Sequence, residues 1–208
     1  GGDSAEGVHP TAARGNYVIT DDTLTDARDI DERFVRNLAA LRALELVERE
    51  DRLPTAEEKD ALAGFSGWGG FSEMFGWDPS GVWADRARLV KDVIGEDAFN
   101  DASASGVTAY YTPVPVARFM WTLAERLGFR GGAVLDPAVG ASGVFLGTLP
   151  QHLAPSTTAH AVELDNISAR IAAKLYEAAN VEQNGFQESR KPQNRFDVAI
   201  TNAPFDNT

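Results

Sequence analysis

Cysteine is absent from the 208 residues, which excludes disulfides and every zinc site built on thiolates. Histidine is nearly as scarce: His9, His152 and His160 are scattered, and no two stand at metal-ligand spacing. No Ser/His/Asp or Cys-based nucleophile constellation appears, and no metal is expected. There is no apolar run long enough to cross a bilayer, nor a basic-then-apolar leader. A cytoplasmic protein is the simplest reading. Positive charge is also in deficit, with 19 Lys and Arg against 31 Asp and Glu and a net charge of −12. That balance argues against a self-sufficient nucleic-acid binder. The deficit is uneven: residues 1–110 hold 22 acidic and 11 basic side chains, whereas residues 111–208 hold 9 and 8. The acidity belongs to the first half, as a solvated helical surface, and the second half is nearly neutral.

What is present begins with a polar, aperiodic stretch over residues 1–28, expected as a flexible, extended lead-in. An acidic helical segment follows over 29–108. Phe34, Leu38, Leu41 and Leu44 recur at three- and four-residue steps, which predicts a helix over 31–52. Thr55 and Glu58 form a capping-box pattern opening a second helix that runs through Leu62. Gly64-Phe65-Ser66-Gly67-Trp68-Gly69-Gly70-Phe71 is dense in glycine and aromatics. It is expected as a tight turn whose rings plug the interface between the helices and the main domain. A short helix over 84–94 and a Ser/Ala/Gly linker over 100–108 complete the first half.

The second half, 109–208, alternates helix and strand. Thr112 is expected as an N-cap with Pro113 at the first helical position. Val116, Phe119, Met120, Leu123 and Leu127 supply the apolar face, and Gly128 the stop. A buried strand over 133–136 ends in Asp136. The side-chain-poor loop Pro137-Ala138-Val139-Gly140-Ala141-Ser142-Gly143 follows, then a further helix whose N-terminus offers free N–H groups. A second strand, 160–163, ends in Glu163. Asp165 or Asn166 caps a helix with the stripe Ile167, Ile171 and Leu175. A weaker strand lies near 181–186, and a fourth over 196–201 ends in Asn202-Ala203-Pro204-Phe205. The pattern predicts a Rossmann-like α/β fold, a parallel sheet of about four strands with helices on both faces, preceded by the helical segment. A carboxylate closing the second strand, 27 residues after Asp136, suits the two hydrogen bonds of a ribose diol.

A glycine-loop strand about sixty residues ahead of Asn202-Ala203-Pro204-Phe205 resembles the S-adenosylmethionine-dependent amino-methyltransferases, of the N6-adenine DNA methylase type. Their hallmark after the fourth strand is Asn/Asp-Pro-Pro-Tyr/Phe, and Ala203 replaces the first proline. The resemblance implies that Asp136, Pro137, Ala138, Gly140, Ser142 and Gly143 embrace the methionine part of S-adenosylmethionine. It implies that Glu163 holds the ribose and that Leu164 packs on the adenine ring. Phe186 follows Gly185, where the family often has an acid that binds the adenine amine. Thr112 and Pro113 resemble the upstream motif that touches the methionine carboxylate. Because that motif precedes the glycine loop, it points to the subgroup with its target-recognition region C-terminal.

The resemblance counts Asn202 among the cofactor-binding residues as well, and for the reaction it implies that the Asn202 side-chain oxygen and the Ala203 carbonyl accept the hydrogens of an exocyclic amine. This draws its delocalised lone pair onto nitrogen for attack. Pro204 fixes the loop and Phe205 stacks on a base flipped out of duplex DNA. Residues 31–52 with Gly64 to Phe71 also resemble the region ahead of the methylase domain in very large phage and plasmid methylase–helicase proteins. That implies a restriction-modification or phage-defence setting. Methyltransferases of this fold continue past the Asn-x-Pro-Phe motif, so the resemblance implies a fragment. Its partners would be DNA, met through a complete enzyme, and a downstream target-recognition region or partner chain. Two other readings stay open: a cofactor-holding scaffold without turnover, and a methyltransferase acting on RNA or a protein glutamine.

Overall fold

The computed structural model describes residues 15–21, 23, 29–105, 112–189 and 194–202. Four parallel strands form one sheet in the order β3-β2-β1-β4: β1 Gly132–Asp136, β2 Thr157–Glu163, β3 Asn180–Gln183 and β4 Val198–Ala199. Register pairs Val134 with Ala159 on one side and with Val198 on the other. The pairing outlasts β4 itself, because the Ile200 N–H donates to the Leu135 carbonyl at 2.9 Å. The chain therefore leaves β1 toward β2 and β3, then returns to β1's far side for β4. Between β1 and β4 lies the point where strand order reverses, and the crevice outside the carboxyl ends there is where sheets of this kind bind ligands.

Three helices pack on the sheet: α4 Val114–Arg126, the single turn α5 Val144–Gly147, and α6 Asn166–Leu175. Side chains alternate across a strand, so Val134, Ala159, Ala161, Val198 and Ile200 share one face. Those are the strand residues that join the clusters of Trp121, Phe145 and Ile171. The helices thus sit on one face of the sheet among the described residues, rather than on both as expected. The α6 stripe Ile167, Ile171 and Leu175 is buried as its period predicts, and Asp165 caps it by accepting the Ser168 N–H at 2.8 Å.

In α4 the expected face is wrong except at Met120, which packs half-buried against the core. Val114, Ala117 and Trp121 are buried, and the Trp121 indole donates to the Phe145 carbonyl at 2.9 Å. Phe119 is 62% exposed and Leu127 81% exposed, with Val116 and Leu123 also in solvent. Thr112 is not the cap either: Pro113 occupies that position in extended backbone, φ −58° and ψ 139°, with no side-chain capping bond. Gly128 does end the helix, at φ +108°.

Ahead of the sheet come α1 Ile30–Arg49, α2 Ala56–Ala63 and α3 Val82–Ser105. The capping box at α2 is complete: Thr55 accepts from the Glu58 N–H at 3.2 Å, and Glu58 accepts from the Thr55 N–H at 2.8 Å. Helix α3 runs well beyond the expected 84–94 and takes in the first part of the expected linker. Phe99 and Ala102 anchor it in the core, and Gly95, at φ 82°, breaks it. Phe65, Trp68 and Phe71 are buried, but their ring contacts are with one another, Phe34 of α1, Phe75 and Trp83. They fasten the helices to one another.

The junction with the sheet is polar as well as apolar. Arg170 of α6 reaches Glu45 of α1 at 2.7 Å and Glu48 beside it, and buried Lys59 of α2 pairs with Glu177 at 2.8 Å. Residues 15–21, within the expected flexible lead-in, are pinned by main-chain bonds from Tyr17 to Leu175 and from Ile19 to Gly147.

Candidate functional site

Three acceptor-bearing residues meet at the carboxyl ends of neighbouring strands: Asp136 closes β1, Glu163 closes β2, and Asn202 follows β4. Between β1 and α5 the loop 137–143 doubles back over the end of β2. The Val139 N–H donates to the Val162 carbonyl at 3.0 Å, and the Gly140 N–H to Glu163 Oε2 at 2.8 Å. Glu163 Oε1 accepts the Asp165 N–H at 2.9 Å. One carboxylate thus ties the glycine loop to the cap of α6.

The two loop glycines serve different ends. Both are left-handed, Gly140 at φ +64° and Gly143 at φ +53°, a region costly for side chains bearing Cβ. A Cβ at Gly143 would collide with the Tyr176 ring, so this glycine permits close packing. A Cβ at Gly140 would meet nothing within 4 Å, so that backbone borders open space. Because α5 is one turn long, its N-terminus does not supply the helix-end N–H array expected from the sequence.

Asp136 is fully buried, at 0% exposure. Its Oδ1 accepts the Ala138 N–H at 3.2 Å, whereas Oδ2 has no hydrogen-bond partner. Burial pushes the carboxyl up to about 7, and the neighbouring Glu163 charge adds to the rise. The Ala138 N–H and the Thr201 hydroxyl oppose it, although Thr201 Oγ1 falls outside hydrogen-bond geometry and is itself buried without a partner. Burial also raises Glu163, against the pull of the backbone N–H groups of Asp165, Gly140 and Leu164.

A stability signature follows. A carboxyl with its folded pKa above the unfolded one stabilises below the unfolded value, and that contribution is lost as pH rises through the folded value, here about 7. At pH 8 the buried charge is a burden. Asp136→Asn is expected to stabilise the chain by about 1–3 kcal/mol at pH 8 and to change little near pH 4, in urea titrations at the two pH values.

Of the other residues singled out from the sequence, Pro137 and Ala138 are half-buried in the loop, and Ser142 is buried, its carbonyl accepting the Tyr176 hydroxyl. Leu164 and Phe186, beyond the ends of β2 and β3, are exposed apolar side chains at 69% and 50%. Thr112 is buried ahead of α4 with Pro113 exposed beside it. Asn202 is exposed; Ala203, Pro204 and Phe205 lie outside the described residues.

Two residues went unnoticed in the sequence. Tyr176 is fully buried against the glycine loop, and burial raises its hydroxyl well above the usual tyrosine range. Its signal was its place immediately after the buried α6 stripe. Thr201 had no signal beyond preceding Asn202. A pocket of about 450 Å³ lies elsewhere, lined by Tyr17, Thr20, Thr23, Asp60 and Gly64. Among the described residues no group of three or more His, Asp or Glu is placed to hold a metal, and no helix is long and apolar enough to cross a membrane.

No protein-family model matches the sequence. Over 107 residues, 49% of this chain, it is 34% identical to the defense against restriction protein B of Escherichia phage P1, of which the match covers 4%. The chain thus spans a small part of that curated relative. Among solved structures, similarity is found to a type I restriction-modification methyltransferase subunit from Streptococcus thermophilus. Identity is 14%, coverage 89% of this chain and 61% of that one, and TM-score 0.41. A putative class I S-adenosylmethionine-dependent methyltransferase from Listeria monocytogenes matches at 15% identity, covering 84% and 59%, with TM-score 0.42. A modification subunit of a putative type I restriction enzyme from Vibrio vulnificus matches at 23%, covering 57% and 28%, with TM-score 0.35. At these scores the superpositions add nothing to what the sheet order and the loop geometry establish.

Proposed function

We propose that this chain binds S-adenosylmethionine at the carboxyl ends of β1 and β2 and forms part of a methyltransferase acting on the exocyclic amine of adenine in DNA. The observation that carries the reading is Asp136: a buried carboxylate with one oxygen unpartnered, beside a glycine loop that borders open space. An acceptor kept dry and unsatisfied suits a ligand bearing a cationic amine. The rest of the crevice fits the same molecule. Glu163 offers acceptors for a ribose diol, and exposed Leu164 and Phe186 offer apolar surface to an adenine. Ser142 and Gly143 shape the loop, and Thr112 and Pro113, ahead of α4, are assigned to the methionine carboxylate.

Bound there, S-adenosylmethionine supplies an electrophilic methyl on a sulfonium. The chain's own task is at the tip of β4. The Asn202 side-chain oxygen, with the Ala203 carbonyl, accepts the amine hydrogens and holds the lone pair on nitrogen. Pro204 fixes the turn and Phe205 stacks on the flipped base. A net charge of −12 does not favour gripping a phosphate backbone, so on this reading DNA is engaged together with a downstream target-recognition region or partner chain. The phage P1 relative, named for defense against restriction, supports a restriction-related setting.

Calorimetric titration with S-adenosylmethionine and S-adenosylhomocysteine tests the reading. Binding is expected, and Glu163→Ala should weaken it by about 1–3 kcal/mol, through lost hydrogen bonds to a charged acceptor. No heat and no saturation with either compound would remove the cofactor role altogether.

A further inference from the structure

Three buried side-chain polar atoms lack a hydrogen-bond partner among the described residues: Trp68 Nε1, Asp136 Oδ2 and Thr201 Oγ1. Two of the three belong to neighbouring strand tips. The Ile200 N–H to Leu135 carbonyl bond, at 2.9 Å, locks the two chains together one residue before Asp136 and one before Thr201. Orphaned buried polar atoms are rare and carry a desolvation cost with nothing gained in return. Two of them side by side point to a pair awaiting a change of state.

We propose that Thr201 is a positioning residue of this site, its hydroxyl pairing with Asp136 Oδ2 across the tips of β1 and β4 and so coupling the ligand crevice to the placement of Asn202. The proposal rests on the cofactor reading for the identity of the ligand, but the pair itself is a property of the chain.

An ionised carboxylate only accepts, and a hydroxyl donated to it makes a charge-assisted bond; a neutral carboxyl offers the hydroxyl far less. Among the described residues, the groups that face Asp136 are Glu163 from β2, Tyr176 just after α6, the Ala138 N–H of the loop and Thr201 from the end of β4. None is a cation. A ligand ammonium entering the crevice therefore brings the positive charge that Asp136 lacks and favours its ionised form. The ionised carboxylate then draws in the Thr201 O–H. Because Asn202 is the next residue, the strand tip carrying it is ordered when the crevice is filled. Binding at β1 thereby prepares the acceptor at β4.

The experiment uses Thr201→Val, which keeps the β-branched shape and removes the hydroxyl, and Thr201→Ser, which restores the hydroxyl. In the cofactor-free chain, the Asp136 side-chain carbon and the Asn202 amide are followed by NMR as pH is varied. The hydroxyl stabilises the ionised form, so its loss should raise the Asp136 midpoint, and serine should return it toward wild type. The Asn202 amide should titrate with Asp136 in wild type and in the serine variant, and stop doing so in the valine variant.

With S-adenosylhomocysteine as probe, affinity should fall as pH drops through the Asp136 midpoint, starting from a higher pH in Thr201→Val. A midpoint raised by half a unit would weaken binding about threefold below both midpoints and leave it equal well above them. An Asp136 midpoint unchanged in Thr201→Val, or an Asn202 amide following pH identically in both, overturns the proposal. A shifted midpoint in a chain that binds no S-adenosylhomocysteine at any pH supports the Thr201–Asp136 pair and removes the cofactor reading instead.

Discussion

Asn202→Ala should abolish methyl transfer in any active form of this protein while leaving S-adenosylmethionine affinity within about twofold. Asn202 sits one residue beyond Thr201, exposed past the end of β4, whereas Asp136 and Glu163, the groups proposed to face the cofactor, belong to β1 and β2. An acceptor that matters only as the amine becomes tetrahedral contributes to the transition state and not to cofactor binding. Loss of one such preorganised contact typically costs about 100- to 1000-fold in kcat. Single-turnover transfer of labelled methyl to adenine-containing DNA, with binding measured in parallel, reads both halves. Full activity in the alanine variant would eliminate the role given to Asn202; an equal fall in affinity would move that residue into the cofactor site.

Trp121→Ala should be the most destabilising single truncation in α4, by about 3–5 kcal/mol, the usual range for removing a buried Trp or Phe. Its indole is 1% exposed, packs at 6.0 Å from the Phe129 ring and donates to the Phe145 carbonyl. The alanine variant loses that bond and leaves a cavity over Val134. Phe119→Ala, two residues earlier and so on the opposite, 62% exposed face, should cost less than about 1 kcal/mol, in keeping with surface positions generally. Urea denaturation of the two variants decides which face of α4 is core. Equal destabilisation would mean that the apolar periodicity, and not the burial found here, describes the helix.

That contrast marks where sequence reasoning reached and where it stopped. Periodicity places a helix at 114–126 but cannot choose its buried face when apolar residues run most of the way round. Trp121 and Ala117 face Val134 and Ile200, while Phe119 and Leu127 face solvent. Local chemistry travelled better. The Thr55 capping box, the Asp165 cap and the Gly128 stop each depend on bonds or backbone angles within a few residues, and each appears as expected. The first part of the expected linker, 100–105, is helix instead because Phe99 and Ala102 are held by partners distant in sequence, which no local run of Ser, Ala and Gly discloses, while 106–108 lie outside the described residues.

By itself the sequence determined the alternation of strand and helix, the left-handed glycines of the 137–143 loop, and the carboxylates at the ends of β1 and β2. These follow from propensity, from apolar runs and from the residues that tolerate positive φ. Only the tertiary structure decided which side of β1 receives β4, and so where the crevice opens. Only it buried Asp136 with one oxygen unpartnered, set Thr201 beside it, pushed Tyr176 against Gly143 and tied Glu163 to Gly140. Each of these joins residues at least 20 positions apart through packing and desolvation, and those energies exist only once the strands are side by side.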